Sequence, residues 1–341
     1  MKFIKHTFAI AVASMVMVAT ANAETLKVQS SFNSGDFSSQ YLIKNWLPKL
    51  KTMTGGRVEM ELLPTKSVVS HRETPEAVAS GVLDGDWTSI PYFSGREPSF
   101  ALLGDLISGY DTPTQMRWFC QYGPGEEQLQ GALDSYTGGR IKVIGCGPFS
   151  REALSAAVPI RGFSDLQGKK IRSPEGLASA VFNAAGASPV AIPFSEVYTS
   201  LEKGIVDAAD ASAYVNNDAV GLNKIAKYPL YPGIHSMPSM QFTINKSKYD
   251  SMSPADQKAL RDWWYMAMES MTLEADARDK ELVARDKAEG KIEVIDWPQS
   301  DRDQLREVAR KEWQTFADKS DRAQAAFDAH IGFMTQIGLI N

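Results

Sequence analysis

Cysteine and histidine are scarce in this 341-residue chain, with two of the first and four of the second. Two cysteines cannot build a disulfide scaffold or a Cys-rich zinc module. The histidines never fall as H-E-x-x-H or H-x-H, so no imidazole-based metal site is expected. Positive charge is in deficit, 36 Lys and Arg against 41 Asp and Glu, which leaves no basic footprint for nucleic acid. There is no G-x-S-x-G nucleophile elbow and no P-loop. The nearest approach to a dinucleotide fingerprint is Gly145-Cys146-Gly147-Pro148-Phe149-Ser150. It has Ser150 in place of the third glycine, and Pro148 lacks the N–H a pyrophosphate wants, so the segment reads as a turn. Long apolar runs are missing outside the first twenty-three residues. What remains, 43% apolar and 23% charged, is the composition of a folded α/β chain of one or two domains.

The first residues stand apart. Lys2 and Lys5 precede an apolar run from Phe8 to Thr20, and Ala21-Asn22-Ala23 supplies small residues for cleavage. Residues 1–23 are therefore expected to be a secretory signal peptide, with a mature chain from Glu24. Its removal would leave a mature charge near −7. Export places Cys120 and Cys146 where a disulfide can form. Sequence leaves two alternatives open for them, a bridge or a pair of buried thiols.

Downstream, strand-like segments at 26–32, 58–64 and 84–93 alternate with helical patterns at 39–53 and 75–81. A βαβαβ series of this kind argues for a largely parallel sheet. A second series has strands at 141–147, 168–174, 189–193 and 205–212, with helices at 177–185 and from Phe194. Segment 240–249 reads as a strand returning to the first half. Ser253-Pro254 is an N-cap with proline in the first turn. The helix it opens reaches Gly290 and, if continuous, measures on the order of 55 Å at 1.5 Å per residue. A strand at 291–298 and a helix capped by Ser300 are expected to follow.

Several segments, in order, resemble the DctP-type solute-binding proteins of tripartite ATP-independent periplasmic (TRAP) transporters. They are TGGRVEMELLP (54–64), FSREALSAAVPIRGFSDLQGKKIRSPEG (149–176), ASPVAIPFSEVYTSLEKGIVDAADAS (187–212), QFTINKSKYDSMSPADQ (241–257) and FMTQIGLI (333–340). The likeness covers essentially the whole mature chain and is nearest the 2-oxo-acid-binding branch. It implies an α/β, two-lobed periplasmic-binding-protein fold, each lobe a mixed sheet flanked by helices. Residues 24–146 would form mainly the N-terminal lobe and 147–239 mainly the C-terminal lobe. Residues 240–252 would return toward the N-terminal lobe, and 253–341 would supply the long bracing helix, a strand and C-terminal helices.

The implied function is periplasmic capture of a small organic anion by lobe closure and its delivery to TRAP membrane permease subunits, with no catalysis. A sensory binding protein presenting the same anion to a membrane receptor is the alternative, and a secreted enzyme is a third reading. The resemblance also allows a homodimer, in which Trp263 and Trp264 would serve either the interface or the core.

By the same resemblance, Arg172 in KKIRSP is the carboxylate ligand, a role that suits a planar guanidinium able to donate two parallel hydrogen bonds. Arg151 is a second candidate for the anion, with an ion pair to Glu152 or another carboxylate as the alternative. Phe194 and Tyr92 would pack against and bond the ligand, with core packing the alternative for Phe194. Trp87 would face the other way into the core. Where the 2-oxo-acid branch carries metal-binding glutamates, this chain has Asp210 and Ser236. A serine cannot replace a carboxylate for a hard cation, so no cofactor is expected, with a ligand-bridging metal ion as the alternative. Asp210 would instead bond a ligand hydroxyl or ammonium, or pair with Arg172. His235 would either replace a lost ligand contact or be a turn histidine.

Overall fold

The structure is a computed structural model that describes residues 24–234 and 236–340. The expected signal peptide and His235 lie outside the described residues. Among the described residues, nine strands form two sheets: β1 (Glu24–Ser30), β2 (Val58–Leu63), β3 (Gly85–Ser89), β4 (Ile141–Gly147) and β9 (Met240–Asn245) in the first, in the order β2-β1-β3-β9-β4. The second holds β5 (Ala153–Ala156), β6 (Lys170–Ser173), β7 (Ser188–Ala191) and β8 (Ala208–Ala211), in the order β5-β8-β6-β7. Helices flank both sheets, and each sheet is mixed. β1 pairs parallel with β2 and β3, whereas β9 runs antiparallel between β3 and β4. In the second sheet β6 is parallel to β7 and β8, and β5 is antiparallel to β8.

The two lobes repeat one local device. Asp84, just ahead of β3, accepts the Lys27 backbone N–H at 2.8 Å, and Asp207, just ahead of β8, accepts that of Lys170 at 2.8 Å. Each aspartate thereby satisfies a backbone donor on the neighbouring strand.

Ser253 caps the long helix, its hydroxyl accepting the Asp256 N–H at 3.1 Å, and Gly290 closes it at φ 66°. The helix runs unbroken through Pro254–Glu289. It buries Trp263 and Trp264 against β4 and β9. Trp264 lies so close to Gly145 that a Cβ there would sit 2.2 Å from its ring, which explains the glycine in the middle of a strand. β4 also changes register between Val143 and Gly145.

Four expected elements differ from the structure. The strand expected over 84–93 stops at Ser89, because Pro91 lacks the N–H to continue the ladder, and Ile90–Phe93 turns as a 3-10 helix. The strand at 240–249 ends at Asn245, whose side chain accepts the Lys248 N–H and starts the short helix Lys246–Ser251. The segment 291–298 makes only a single bridge, Leu230 to Ile295. It faces a stretch containing Pro229 and Pro232, which cannot extend a ladder. Ser300 caps nothing: the helix begins at Gln299 after Pro298.

Cys120 and Cys146 are joined by a disulfide with Cα atoms 5.6 Å apart. It fastens the Pro113–Gln121 helix to β4 across 26 residues of chain. Loop closure of that length predicts that a Cys120→Ser, Cys146→Ser variant loses about 3.5 kcal/mol of stability. Denaturant titration checks it, and the expected shift is in midpoint with little change in ligand affinity.

Candidate functional site

A small, partly open cavity, about 30 Å³, lies between the two sheets. Its N-lobe wall comes from Ser31 and Phe32 after β1, Ser89 at the end of β3 and Tyr92 on the following turn; Met240 of β9 also lines it. The C-lobe wall comes from Ser150, Glu152, Arg172 of β6, Phe194 and Ser212. These positions follow the ends of strands, where side chains of an open α/β sheet converge on a ligand.

Arg172 is 2% exposed, and its hydrogen bonds fix the guanidinium plane. Nε donates to the Ile192 carbonyl at 2.6 Å and Nη1 donates to the Asp210 carbonyl. Both acceptors are neutral backbone groups, so the positive charge is oriented without being neutralised. Among the described residues, Nη2 has no hydrogen-bond partner. Around it, Phe32 packs edge-on against Phe149 and Phe194 at 6.2 and 6.1 Å and tilts over Trp87 at 5.2 Å. The aromatic wall excludes water and so strengthens any ion pair formed inside.

The lobes touch across this cavity. The Phe194 N–H donates to the Tyr92 hydroxyl at 3.0 Å, and the Phe37 N–H donates to Asn216 Oδ1 at 2.7 Å. At the rim, Lys66 pairs with Glu196 and Arg72 with Glu175. These ion pairs are half-exposed and worth well under 1 kcal/mol each, so the buried Tyr92–Phe194 bond is the more consequential link. Gly176, at φ 88°, lets the C-lobe chain approach so closely that a Cβ would sit 2.5 Å from Ser94 Oγ.

Behind Arg172, a chain of polar groups crosses the hinge. Ser236 Oγ lies 2.7 Å from Asp105 Oδ2 and 2.8 Å from Asp210 Oδ2. One hydroxyl has one proton to give, so two hydrogen bonds here require a second proton on one of the carboxyls. Asp105 Oδ1 accepts the Met237 N–H at 3.1 Å, whereas Asp210 Oδ1 is buried with no partner. One of the two carboxyls therefore carries a proton and donates to Ser236, which donates to the other. Burial first, and then the neighbouring Asp210 charge, push Asp105 up to about 7; burial pushes Asp210 up to about 6.

Of the residues expected from sequence, Arg172, Tyr92 and Phe194 line the cavity. Trp87 is buried behind it. Asp210 does not reach the cavity; it acts through its carbonyl on Arg172 and its carboxyl on Ser236. Arg151 is also turned away, its Nη2 donating to the Asp111 carbonyl while Nε is buried without a partner. Ser150 and Glu152 face inward on either side of it, and in extended chain the residue between two inward neighbours points outward. Glu152 is among the cavity residues that sequence reasoning did not assign to the ligand, with Ser31, Ser89, Ser150 and Ser212. Its signal was a lone acid heading the uncharged, fully buried strand Ala153–Ala156. Among the described residues, no group of three His, Cys, Asp or Glu side chains is arranged to hold a metal ion. Asp105 and Asp210 are tied to one serine hydroxyl and do not form an open oxygen cage.

Two α/β lobes closed on a buried, half-satisfied guanidinium define a receptor for a small anionic solute. The chain belongs to the bacterial extracellular solute-binding proteins, family 7 (DctP), whose family model matches residues 30–320. A TRAP periplasmic solute-binding protein from Rhodobacter sphaeroides, solved in an apo open form, is 37% identical with a TM-score of 0.75. That match covers 93% of this chain and 99% of the other. The monocarboxylate 2-oxoacid-binding periplasmic protein of Nostoc is 25% identical, over 82% of this chain and 79% of the relative. The 2,3-diketo-L-gulonate-binding periplasmic protein of Escherichia coli is 26% identical over 84% of each. Among the described residues no helix is long and apolar enough to cross a membrane.

Two predictions follow from this geometry. Tyr92→Phe leaves the Phe194 N–H unpaired and is expected to weaken ligand binding by about 1–3 kcal/mol, read by calorimetry, with the melting temperature of the ligand-free protein little changed. The Asp105–Asp210 pair sets a pH dependence. Both acids keep protons in the folded state that the unfolded chain releases, so their contribution to stability falls as pH climbs from about 4 to 7. Asp210→Asn removes one ionisation and keeps the donor to Ser236. Thermal melts from about pH 5 to pH 8 should show the variant gaining on the wild type as pH rises.

Proposed function

We propose that this chain is the periplasmic receptor of a TRAP transporter that captures a small 2-oxo carboxylate and performs no chemistry on it. The carrying observation is the Arg172 guanidinium, buried, held by two backbone carbonyls and left with Nη2 toward the cavity. A carboxylate completes that guanidinium, whereas an uncharged ligand leaves a buried charge unpaired. Both curated relatives named above bind 2-oxo acids by their names. Closure brings Tyr92 onto Phe194 and completes the enclosure. The membrane permease can then distinguish closed receptor from open, a ligand-shifted equilibrium between two lobe arrangements. For the homodimer that the resemblance allows, Trp263 and Trp264 are buried in the core and unavailable. Its apolar surface would be the exposed Tyr122, Met266 and Leu273.

Arg172→Ala is expected to lower affinity for pyruvate at least tenfold to a hundredfold, since each charge-assisted bond contributes about 1.5–3 kcal/mol. Titration calorimetry checks it; unchanged affinity overturns the assignment of Arg172. Recovery of unaltered pyruvate after prolonged incubation with the protein is expected, and turnover would make it an enzyme.

A further inference from the structure

Glu152 lies at the cavity with one side chain oxygen, Oε2, buried and without a hydrogen-bond partner. Its backbone N–H donates to the Ser236 carbonyl at 2.9 Å, and the next residue, Ala153, donates to the Ser212 carbonyl at 2.8 Å. The main chain at Glu152 is thus held between the segment at Ser236 and the end of β8. Gly233 packs against its carbonyl with no room for a Cβ, which fixes the main chain there.

The charges facing Glu152 come from every neighbouring element. Asp210 faces it from β8, Asp105 from the N-lobe turn, and Arg172 from β6. Arg151, adjacent in the chain, is committed to Asp111, and Arg302 is held by the Pro232 and Gly233 carbonyls. Two buried carboxyls and the half-buried Glu152 therefore share one guanidinium that no carboxylate neutralises, and the bound anion adds a further negative charge. A buried carboxylate oxygen with no donor is far costlier than the same group as a neutral acid. Burial and the Asp210 charge raise the Glu152 carboxyl well above its ordinary range, against the opposing pull of Arg172.

We propose that Glu152 is a ligand contact that stays protonated at neutral pH and donates its O–H to an oxygen acceptor beside the carboxylate held by Arg172. This inference rests on the receptor reading above and gives a reason for its ligand class. A 2-oxo group offers such an acceptor. An ammonium at the same place, as in an amino acid, presents a donor to a donor and is rejected. The anion enters without an added proton because the proton is already in place. Ionisation of Glu152 at higher pH sets two negative groups against each other and releases the ligand.

The test combines two measurements on the full mature chain. Pyruvate and L-alanine are titrated into wild type, Glu152→Gln and Glu152→Ala across neutral to alkaline pH. Wild type is expected to bind pyruvate and not alanine. Its affinity should fall by up to about tenfold per pH unit once Glu152 ionises. Glu152→Gln, which keeps a neutral donor, should retain pyruvate binding within about threefold and lose most of that alkaline fall, whereas Glu152→Ala should bind weakly at every pH. Infrared difference spectra of ligand-free wild type against Glu152→Gln should show the carbonyl stretch of a protonated carboxylic acid at neutral pH. Loss of pyruvate binding in Glu152→Gln equal to that in Glu152→Ala, or preference for alanine, overturns the proposal. Absence of the infrared band removes the Glu152 donor alone. Failure of wild type to bind pyruvate removes the receptor reading for 2-oxo acids and, with it, the ligand class inferred here.

Discussion

A guanidinium taken out of water must be given acceptors, and in this protein the acceptors are arranged so that the job is left unfinished. Arg172 gives Nε to Ile192 and Nη1 to Asp210, both through backbone carbonyls at the ends of adjacent strands. Had a carboxylate side chain taken those bonds, the charge would be neutralised and an anion would gain little by entering. Neutral acceptors aim the group without discharging it, so the remaining attraction is saved for the ligand. β6 and β8 pair in parallel so that Arg172 lies opposite Ala209, one residue from the Asp210 carbonyl. The second sheet's register therefore sets the direction of the guanidinium.

The same low-dielectric setting that strengthens the Arg172–ligand pair penalises every carboxyl nearby. Asp105 and Asp210 are fully buried and Glu152 is half-buried with its Oε2 enclosed, and protonation is how such groups coexist. The Asp105–Ser236–Asp210 chain shows this by hydrogen counting alone, because one serine proton cannot make two bonds. It also joins residues from both lobes through the crossing segment, so the protonation of the hinge and the geometry of the site are mechanically connected.

Much of the fold was legible because its signals are local. The N-cap at Ser253 and the stop at Gly290 bound the long helix, and the strand at 141–147 appears with the same limits. The return of 240–245 to the first sheet was readable from its apolar pattern. The expected strand at 291–298 failed because its neighbour contains prolines, a fact about the partner and not about the segment. In the site, Arg172, Tyr92 and Phe194 were found through motif resemblance. Glu152 was not, since its importance arises only when 152, 212 and 236 are brought together. Arg151 attracted attention as a second cation, but a chain that turns Ser150 and Glu152 inward must turn Arg151 away.

The central claim is that a ligand carboxylate completes a buried guanidinium. Calorimetric comparison of pyruvate with its uncharged amide, pyruvamide, tests this directly, because the two differ little in shape and chiefly in charge. The account predicts measurable, stoichiometric binding of pyruvate and loss of nearly all affinity for the amide, which would leave Arg172 buried and unpaired. Equal affinity for the two would contradict it.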